Sequence, residues 1–388
     1  MVAALFNPEQ MDWIKKRVKI AVICGGEKSC SKNYVYENLS PRSTKTYRTV
    51  AEDIVATLAQ EGFDQLEVLE ESMHLPQQLK SQNVDMAFLN SGGLQGYDSM
   101  CHLPSMMEMC GVPYIGHTPM TAGLLDNKLM LKNELSALGI PTAPFITLDQ
   151  GRTIHDASCQ RALDYIDQEF GEGYIVKPVV GRASIHVYPV FDRSELQEVV
   201  ERVQSATNNV VLIEPYLSGA EFVAAVCGRV LYKESQLEEQ EQPFVFSISQ
   251  RVLDEGEHIF TSMDVRPITA DRSRPVLDES LKADIADIVS RIFTAFNLQT
   301  LIRVDLRMDN NGRLYVLEAN PKPDLKRPCG NQINLVTAGL AAEGMQYEEL
   351  LQSLIFNRLQ YLYRNRPTTL AHCLSDSLFT LSQQGGRA

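Results

Sequence analysis

The sequence predicts an α/β protein, and three stretches carry that prediction. Residues 18–24, VKIAVIC, form a near-continuous apolar run typical of a buried parallel strand, and a Gly-Gly pair follows it at once. Residues 46–62 repeat apolar side chains at helical spacing and end at a glycine. Residues 301–320 contain two β-rich runs joined by the turn DNNG. These stretches place a strand–helix unit near the start of the chain and a β-hairpin near its end.

The N-terminal half continues the alternation of strand and helix. Short strands are predicted at 66–69 and 86–89, and the second leads into the glycine-rich loop NSGGLQGYDS. Helices are predicted at 103–110 and 121–138, the longer one carrying the tripeptide DNK. The prolines of GIPTAPF then suit an interdomain connection.

The C-terminal half reads as hairpins. A strand at 174–178, YIVKP, is followed by a small-residue turn and a returning strand, and Ser184 with the backbone N–H groups of that turn can lie over phosphates. A buried strand, VVLIE, leads into a second strand after a short turn. The remaining predictions are a charged solvated loop at 233–242, a polar linker at 268–278 and helices at 284–296 and 346–358.

Composition bounds the class of protein. The 388 residues suffice for two or three domains, and the net charge of −13 argues against a nucleic-acid binder. The 8 cysteines are scattered without CxxC pairs, so we expect reduced thiols in the cytoplasm. No apolar run is long enough to span a bilayer, and the N-terminus lacks the pattern of a signal peptide. We therefore expect a cytoplasmic protein with neither a nucleic-acid nor a membrane partner.

The hairpin at 301–320 is the first candidate site. Side chains two residues apart on a strand share a face, so Arg303 and Asp305 lie together on the first strand, as do Glu318 and Asn320 on the second. Asp305, Glu318 and Asn320 offer the hard oxygen ligands that hold Mg²⁺ against nucleotide phosphates. Arg303 is placed to face a developing negative charge. The alternative is an amphipathic surface hairpin with a charged outer face.

Further features point to a nucleoside triphosphate. Lys128 and Lys177 are isolated lysines suited to phosphate oxygens. Within IEPYLSGAE, Glu214 and the backbone of Tyr216 and Leu217 suit an adenine edge, and Glu221 suits a ribose. Each feature has a plain alternative: Lys128 as a solvated helix residue, and the two glutamates as edge-strand charges.

With these motifs the sequence resembles the ATP-grasp superfamily, and within it the D-alanine–D-alanine ligase group. The segments that carry the resemblance are ICGGEKS, GVPYIGHTPMTAGLLDNK, GIPTAPF, YIVKP, VLIEPYLSGAEF, RVDLRMDNNGRLYVLEANPKP and YEELLQSLI. The resemblance implies an N-terminal Rossmann-like α/β domain at 1–140, followed by two ATP-grasp subdomains at 141–225 and 226–388. The C-terminal half would be α+β, and ATP would lie between the last two units.

The resemblance also implies roles for the candidate residues. Lys128 and Lys177 are similar to the family's two ATP-phosphate lysines, and Arg303 to the arginine that stabilises the tetrahedral intermediate. The adenine, ribose and metal roles fall on the residues already named for them. The implied cofactors are ATP with Mg²⁺, or Mn²⁺. The implied reaction activates a carboxylate as an acyl phosphate, which an amine then converts to an amide. Family members are often dimers, so we expect a homodimer.

The sequence differs from the family in the segments that would bind the amino-acid substrates and in the loop that closes over ATP. Asn90 stands where D-alanine ligases carry a histidine, and Glu27 and Glu37 offer no clear match to the glutamate that binds the first D-alanine. PKPD replaces Thr-x-Pro-Gly after Asn320, and FSISQRVLDEGEHIFTSMDVRP replaces the loop that closes over ATP. We therefore expect amino-acid-like substrates other than two D-alanines. Lys322, Lys326 and Arg327 suit a substrate carboxylate or are surface charge.

Two alternatives to this ligase remain open. One is a true D-alanine–D-alanine ligase, which would make D-alanyl-D-alanine from D-alanine alone. The other is a non-catalytic protein that binds ATP without turnover.

Overall fold

A computed structural model describes residues 5–25, 47–260, 268–328 and 333–373. The N-terminal unit is a parallel sheet with helices, in strand order β2-β1-β3-β4. All six residues of its central strand are buried, as its apolar sequence predicts. In chain order its elements are α1 (Pro8–Arg17), β1 (Ile20–Gly25), α2 (Arg48–Gln60), β2 (Leu66–Glu71), α3 (Leu75–Ser81), β3 (Met86–Asn90), α4 (Ser99–Cys110), β4 (Tyr114–Ile115), α5 (Pro119–Asp126) and α6 (Lys128–Ala137).

The single helix predicted at 121–138 is wrong, because the structure divides this stretch into α5 and α6. Asn127 lies between them in an extended conformation, and its side chain caps α6 by accepting from the Met130 N–H at 3.1 Å. The Lys128 N–H donates to the Val179 carbonyl at 3.1 Å. Because the helix is interrupted at Asn127, the start of α6 contacts the strand–turn segment that carries Lys177.

The second unit is an antiparallel sheet in the order β5-β8-β6-β7. The predicted turn and returning strand after YIVKP are confirmed by the pairing of β6 with β7. The elements are β5 (Ile146–Leu148), α7 (Ala157–Glu169), β6 (Tyr174–Pro178), β7 (Tyr188–Val190), α8 (Leu196–Thr207) and β8 (Val211–Pro215).

The third unit is an antiparallel sheet in the order β13-β12-β9-β14-β15. The elements are β9 (Glu221–Cys227), β10 (Val230–Lys233), β11 (Gln236–Glu239), β12 (Phe244–Arg251), β13 (Ser273–Pro275), α9 (Glu279–Ala295), β14 (Ile302–Met308), β15 (Leu314–Asn320), α10 (Tyr347–Asn365) and α11 (Pro367–Cys373). Helix α9 begins after the N-cap Asp278 and buries an apolar stripe against β9 and β12.

Two irregular segments predicted from the sequence are wrong. The charged stretch 233–242 contains strand β11, which pairs with β10. The polar linker 268–278 contains β13, a short strand at the edge of the third sheet. Residues of β11 alternate between exposed and half-buried, and two of the three residues of β13 are exposed, so both strands carry polar side chains. Among the described residues no helix is long and apolar enough to cross a membrane.

Candidate active site

A cavity of about 100 Å³ lies between the second and third sheets. The walls come from β6, β8, β9, β12, β14 and β15, together with the turn after β6 and the start of α6. Eight residues predicted from the sequence line it: Lys128, Lys177, Ser184, Glu214, Leu217, Glu221, Asp305 and Glu318. The side chains of Tyr216, Arg303 and Asn320 lie beside the cavity lining rather than in it. The cavity thus collects residues that are almost 200 positions apart in sequence.

The first lysine of the site is held at the start of α6. Lys128 is only 7% exposed, so its reading as a solvated helix residue is wrong. Its ammonium group donates to the Gly181 carbonyl at 2.8 Å and lies 3.3 Å from Glu318 Oε2. These contacts join α6, the turn after β6 and strand β15.

The second lysine belongs to a buried triad. Lys177 donates to Glu214 Oε1, and Lys132 Nζ lies 2.9 Å from Glu214 Oε2. Burial raises the pKa of Glu214, but the two ammonium groups outweigh it and bring the pKa down to about 2. The carboxylate is therefore ionised inside the protein. Because β8 is an interior strand, the reading of Glu214 as an edge-strand charge is wrong.

Lys132 also belongs to the site, although the sequence did not indicate it. It lies one helical turn after Lys128 and is completely buried. Its ammonium group donates to Thr142 Oγ1 at 2.8 Å. The spacing of the two lysines within DNKLMLK is the only local signal that points to it.

The predicted metal hairpin forms as β14 and β15, with Asp305 paired to Glu318 and Arg303 to Asn320. A bulge at Leu317 interrupts the register next to this patch. The reading as a surface hairpin is wrong, because β14 is an interior strand and Asp305 is 3% exposed.

Asp305 is held by two arginines. Arg303 donates to its two oxygens at 2.7 and 2.8 Å, and Arg251 donates to Oδ2 at 3.0 Å. Arg251 also donates to Glu221 at 2.7 Å, and Arg307 lies 3.5 Å from that carboxylate. Since β9 is an interior strand and Glu221 is buried, Glu221 is not an edge-strand charge either.

Arg251 and Arg307 line the cavity, and the sequence did not reveal either as a site residue. Arg251 is the last residue of β12 and lies in the segment that differs from the family's loop over ATP. No family motif therefore marks it as a site residue. Arg307 lies on the same face of strand β14 as Arg303 and Asp305, and this spacing is the sequence feature that could have marked it as a site residue.

Glu318 and Asn320 complete the oxygen-rich edge. Burial raises the pKa of Glu318, but Lys128 and Arg303 outweigh it and lower the pKa to about 2. The Asn320 amide donates to Glu318 Oε1 at 3.3 Å. Among the described residues no group of three or more His, Cys, Asp or Glu side chains forms a complete metal site. Two carboxylates and an amide oxygen still fit a magnesium ion that takes its remaining ligands from phosphates and water.

The turn after β6 crosses the cavity in an unusual backbone conformation. Ala183, Ser184 and His186 have positive φ angles of 64°, 53° and 59°. The Ser184 hydroxyl donates to the Phe260 carbonyl at 3.1 Å. Arg182 fixes the turn to the N-terminal unit by donating to Asp126 at 2.8 and 2.9 Å and to the Gly92 carbonyl at 3.1 Å.

The segment predicted to meet adenine is well anchored. The Tyr216 N–H donates to the Gly173 carbonyl at 2.9 Å, and its hydroxyl donates to the His258 carbonyl at 3.2 Å. Arg307 lies 4.9 Å over the Tyr216 ring. The Tyr216 side chain therefore supports the wall, while Leu217 reaches the cavity itself.

A smaller cavity of about 30 Å³ lies between the N-terminal unit and the chain after β15. Lys322 and His117 line it, and the Lys322 ammonium lies 3.4 Å from the centre of the Tyr47 ring. Asn90 donates to the Tyr47 carbonyl at 3.2 Å. Lys326 and Arg327 are exposed, and Arg327 donates to Glu348 at 2.9 Å. Glu27 and Glu37 lie outside the described residues.

The fold and the site agree with comparisons to known proteins. The family described as D-ala D-ala ligase C-terminus matches residues 135–356, more than half of the 388-residue chain. A D-alanine–D-alanine ligase of Pseudomonas putida is 26% identical over 71% of this chain and 77% of its own length. An uncharacterised protein of Sinorhizobium fredii is 27% identical over 75% of this chain and 83% of its own length. The crystal structure of D-alanine–D-alanine ligase from Bacillus anthracis complexed with ATP matches with a TM-score of 0.64 and 21% identity, covering 88% of this chain and 98% of that one.

The fold is therefore the ATP-grasp fold, and the class of protein is an ATP-dependent ligase that forms carbon–nitrogen bonds. The chain belongs to the D-alanine–D-alanine ligase family. The family predicted from the sequence is confirmed, and so is the general activity of a carboxylate–amine ligase.

Proposed function

We propose that this ligase activates the carboxylate of one amino-acid-like substrate with ATP and joins it to the amine of another. The observation that carries the proposal is the cavity between the second and third sheets. Five cationic side chains converge on it, which is the environment a triphosphate needs: Lys128, Lys177, Arg182, Arg251 and Arg307.

In the proposed reaction a carboxylate oxygen attacks the γ-phosphorus of ATP, and ADP leaves. The substrate amine then attacks the acyl carbon, phosphate leaves with the bonding electrons, and the nitrogen loses a proton. We assign the phosphates to Lys128, Lys177 and the turn that carries Ser184. We assign the developing oxyanion to Arg303, because this arginine is fixed by two hydrogen bonds before substrate arrives.

The nucleoside assignments follow the walls of the cavity. We assign the adenine edge to Glu214 and to the backbone at Tyr216 and Leu217, and the ribose to Glu221. Both glutamates already bind cations of the protein, so we assign to the phosphates the rearrangement that turns Lys177 and Arg251 away from them.

We further propose that Asp305, Glu318 and Asn320 hold Mg²⁺, with Mn²⁺ as a substitute. When bound, the ion would neutralise phosphate charge as it moves to the leaving group. Arg251 and Arg303 both donate to Asp305. The ion would take the place of Arg251 at Oδ2 once the phosphates draw that arginine away, while Arg303 keeps its two hydrogen bonds.

The substrate pair is proposed to differ from two D-alanines. Asn90 donates to the Tyr47 carbonyl, and Lys322, which lines the smaller cavity, lies over the Tyr47 ring. Lys322 is the candidate for a substrate carboxylate, since Lys326 and Arg327 are exposed on the surface. The domain limits 1–140, 141–225 and 226–388, the homodimer and the cytoplasmic location stay predictions.

The test supplies the purified protein with ATP, Mg²⁺ and mixed amino acids, and follows ADP release and products by mass spectrometry. The proposal expects ADP, phosphate and a new amide in equal amounts. D-Alanyl-D-alanine as the sole product would favour a D-alanine–D-alanine ligase. ATP binding without ADP release from any pair would favour the non-catalytic alternative.

A further inference from the structure

The two lysines on Glu214 differ in how they are held. Lys132 is 0% exposed, Lys177 is 7% exposed, and the Glu214 side chain between them is 3% exposed. Lys177 lines the ATP cavity, whereas Lys132 lies behind it and has no face on the cavity. The structure therefore separates an inner ammonium group from an outer one.

The inner lysine is fixed from several sides. Its ammonium group donates to Thr142 Oγ1 at 2.8 Å, and that hydroxyl donates to the Val316 carbonyl at 3.2 Å. The ammonium group also lies 5.5 Å from the centre of the Phe145 ring. Lys132 is thus tied to β15 as well as to Glu214, and it has no route to a ligand.

The charges of this cluster do not balance. One carboxylate meets two ammonium groups, so the cluster carries one positive charge in excess. If Lys177 turns to a phosphate, Glu214 keeps Lys132 as its counter-ion. Without Lys132, the same movement would leave a buried carboxylate with no cation, which is strongly unfavourable.

We propose that Lys132 is a positioning residue for ATP: it holds Glu214 permanently and so leaves Lys177 available to the phosphates. The inference rests on the proposed function, because it assumes that Lys177 binds ATP. It predicts that Lys132 acts on phosphate binding through Lys177 alone.

The test measures the dissociation constants of ATP, ADP and adenosine by calorimetry with Mg²⁺ present, for wild type and for Lys132→Met. Methionine resembles the unbranched stem of lysine and lacks its ammonium group. We expect ATP and ADP to bind about tenfold to a hundredfold more weakly, the range for losing a charge-assisted hydrogen bond. Adenosine, which has no phosphate, should bind within about threefold of wild type. The control Lys80→Met, at an exposed lysine of α3, should change none of the three.

A double-mutant cycle separates positioning from a general structural role. In a Glu214→Gln background, in which Lys177 has no carboxylate to hold it, Lys132→Met should cause no further loss of ATP affinity. Equal losses in both backgrounds, or an unchanged ATP affinity in folded Lys132→Met, would overturn the inference. Wild-type protein that does not bind ATP would overturn the proposed function, and this inference with it.

The variant that pairs Lys132→Met with Glu214→Gln covers the case in which Lys132→Met alone does not fold. It removes the buried carboxylate together with its counter-ion, so it should fold, and Lys177 no longer has an anion to hold it. Because Glu214 is also assigned to the adenine edge, the reference for this double variant is Glu214→Gln alone, and we expect the two to bind ATP within about threefold of each other. A folded double variant that binds ATP more than about tenfold more weakly than Glu214→Gln alone would contradict the inference.

Discussion

Replacing Arg251 by methionine tests how the cavity is held together and charged. Arg251 donates to Glu221 at 2.7 Å and to Asp305 at 3.0 Å, and its guanidinium lies 4.8 Å over the Phe260 ring. Both carboxylates keep a second arginine when Arg251 is removed, Arg307 for Glu221 and Arg303 for Asp305. The loss of unfolding free energy should therefore be smaller than the loss expected when a buried charge is left without a partner.

We expect Arg251→Met to lower the free energy of unfolding by about 1.5–3 kcal/mol, the range for a hydrogen bond to a charged group. ATP affinity should fall about tenfold to a hundredfold, because a cation leaves the cavity and two carboxylates become less neutralised. Urea unfolding measures the first effect, and calorimetry with ATP and Mg²⁺ measures the second.

The matched control is Arg274→Met. Arg274 pairs with Gln250 on the neighbouring strand and is exposed, so its removal should change stability by no more than about 0.5 kcal/mol. An Arg251→Met protein that unfolds at the wild-type urea concentration and binds ATP at the wild-type affinity would refute the reasoning.

Three further predictions concern the metal edge, a buried histidine and the core. Glu318→Gln should abolish ADP release while the protein stays folded, as ADP assays and circular dichroism would check, and full activity would remove Glu318 from the metal site. Burial lowers the pKa of His117 to about 4, so the unfolded chain binds the extra proton first. Stability should therefore fall as the pH drops from about 6.5 to about 4, by about 3 kcal/mol, and His117→Gln should lessen this fall in urea titrations. An unchanged pH dependence in that variant would contradict the assignment. Ile292→Ala, which empties a fully buried position of α9, should cost about 2–5 kcal/mol in urea unfolding, and a cost below about 1 kcal/mol would show that the core around α9 is loosely packed.

The hairpin β14–β15 shows why part of the site was predictable. Its alternating apolar and polar residues, its turn and its oxygen ligands all lie within residues 302–320. The strand pattern and the ligand chemistry therefore point to the same hairpin site. The strand and turn around Lys177 were predictable for the same reason.

The contacts of the site residues were not predictable, because they join distant segments. Nothing near Arg251 in sequence shows that it will meet Glu221 and Asp305, which approach it only when β12, β9 and β14 assemble. Lys132 lies on helix α6 and gains its role from Glu214, which lies on strand β8 of the second sheet. Both residues read as ordinary charges until their partners are in place.

The errors in secondary structure have local causes. Strand β11 looks like a loop because its sequence, QLEE, has one apolar residue, Leu237, which pairs with Tyr232. The helix over 121–138 divides because Asn127 competes with the helix by capping the next one.

The most direct test of the central claim, carboxylate activation by ATP in this cavity, traces oxygen from substrate to phosphate. The protein, ATP and Mg²⁺ are incubated with a panel of amino acids whose carboxylates carry ¹⁸O, and the released phosphate is analysed by mass spectrometry. An acyl phosphate transfers one labelled oxygen to each phosphate, so we predict singly labelled phosphate together with an amide product. Phosphate without label, from protein that binds ATP and releases ADP, would contradict the account.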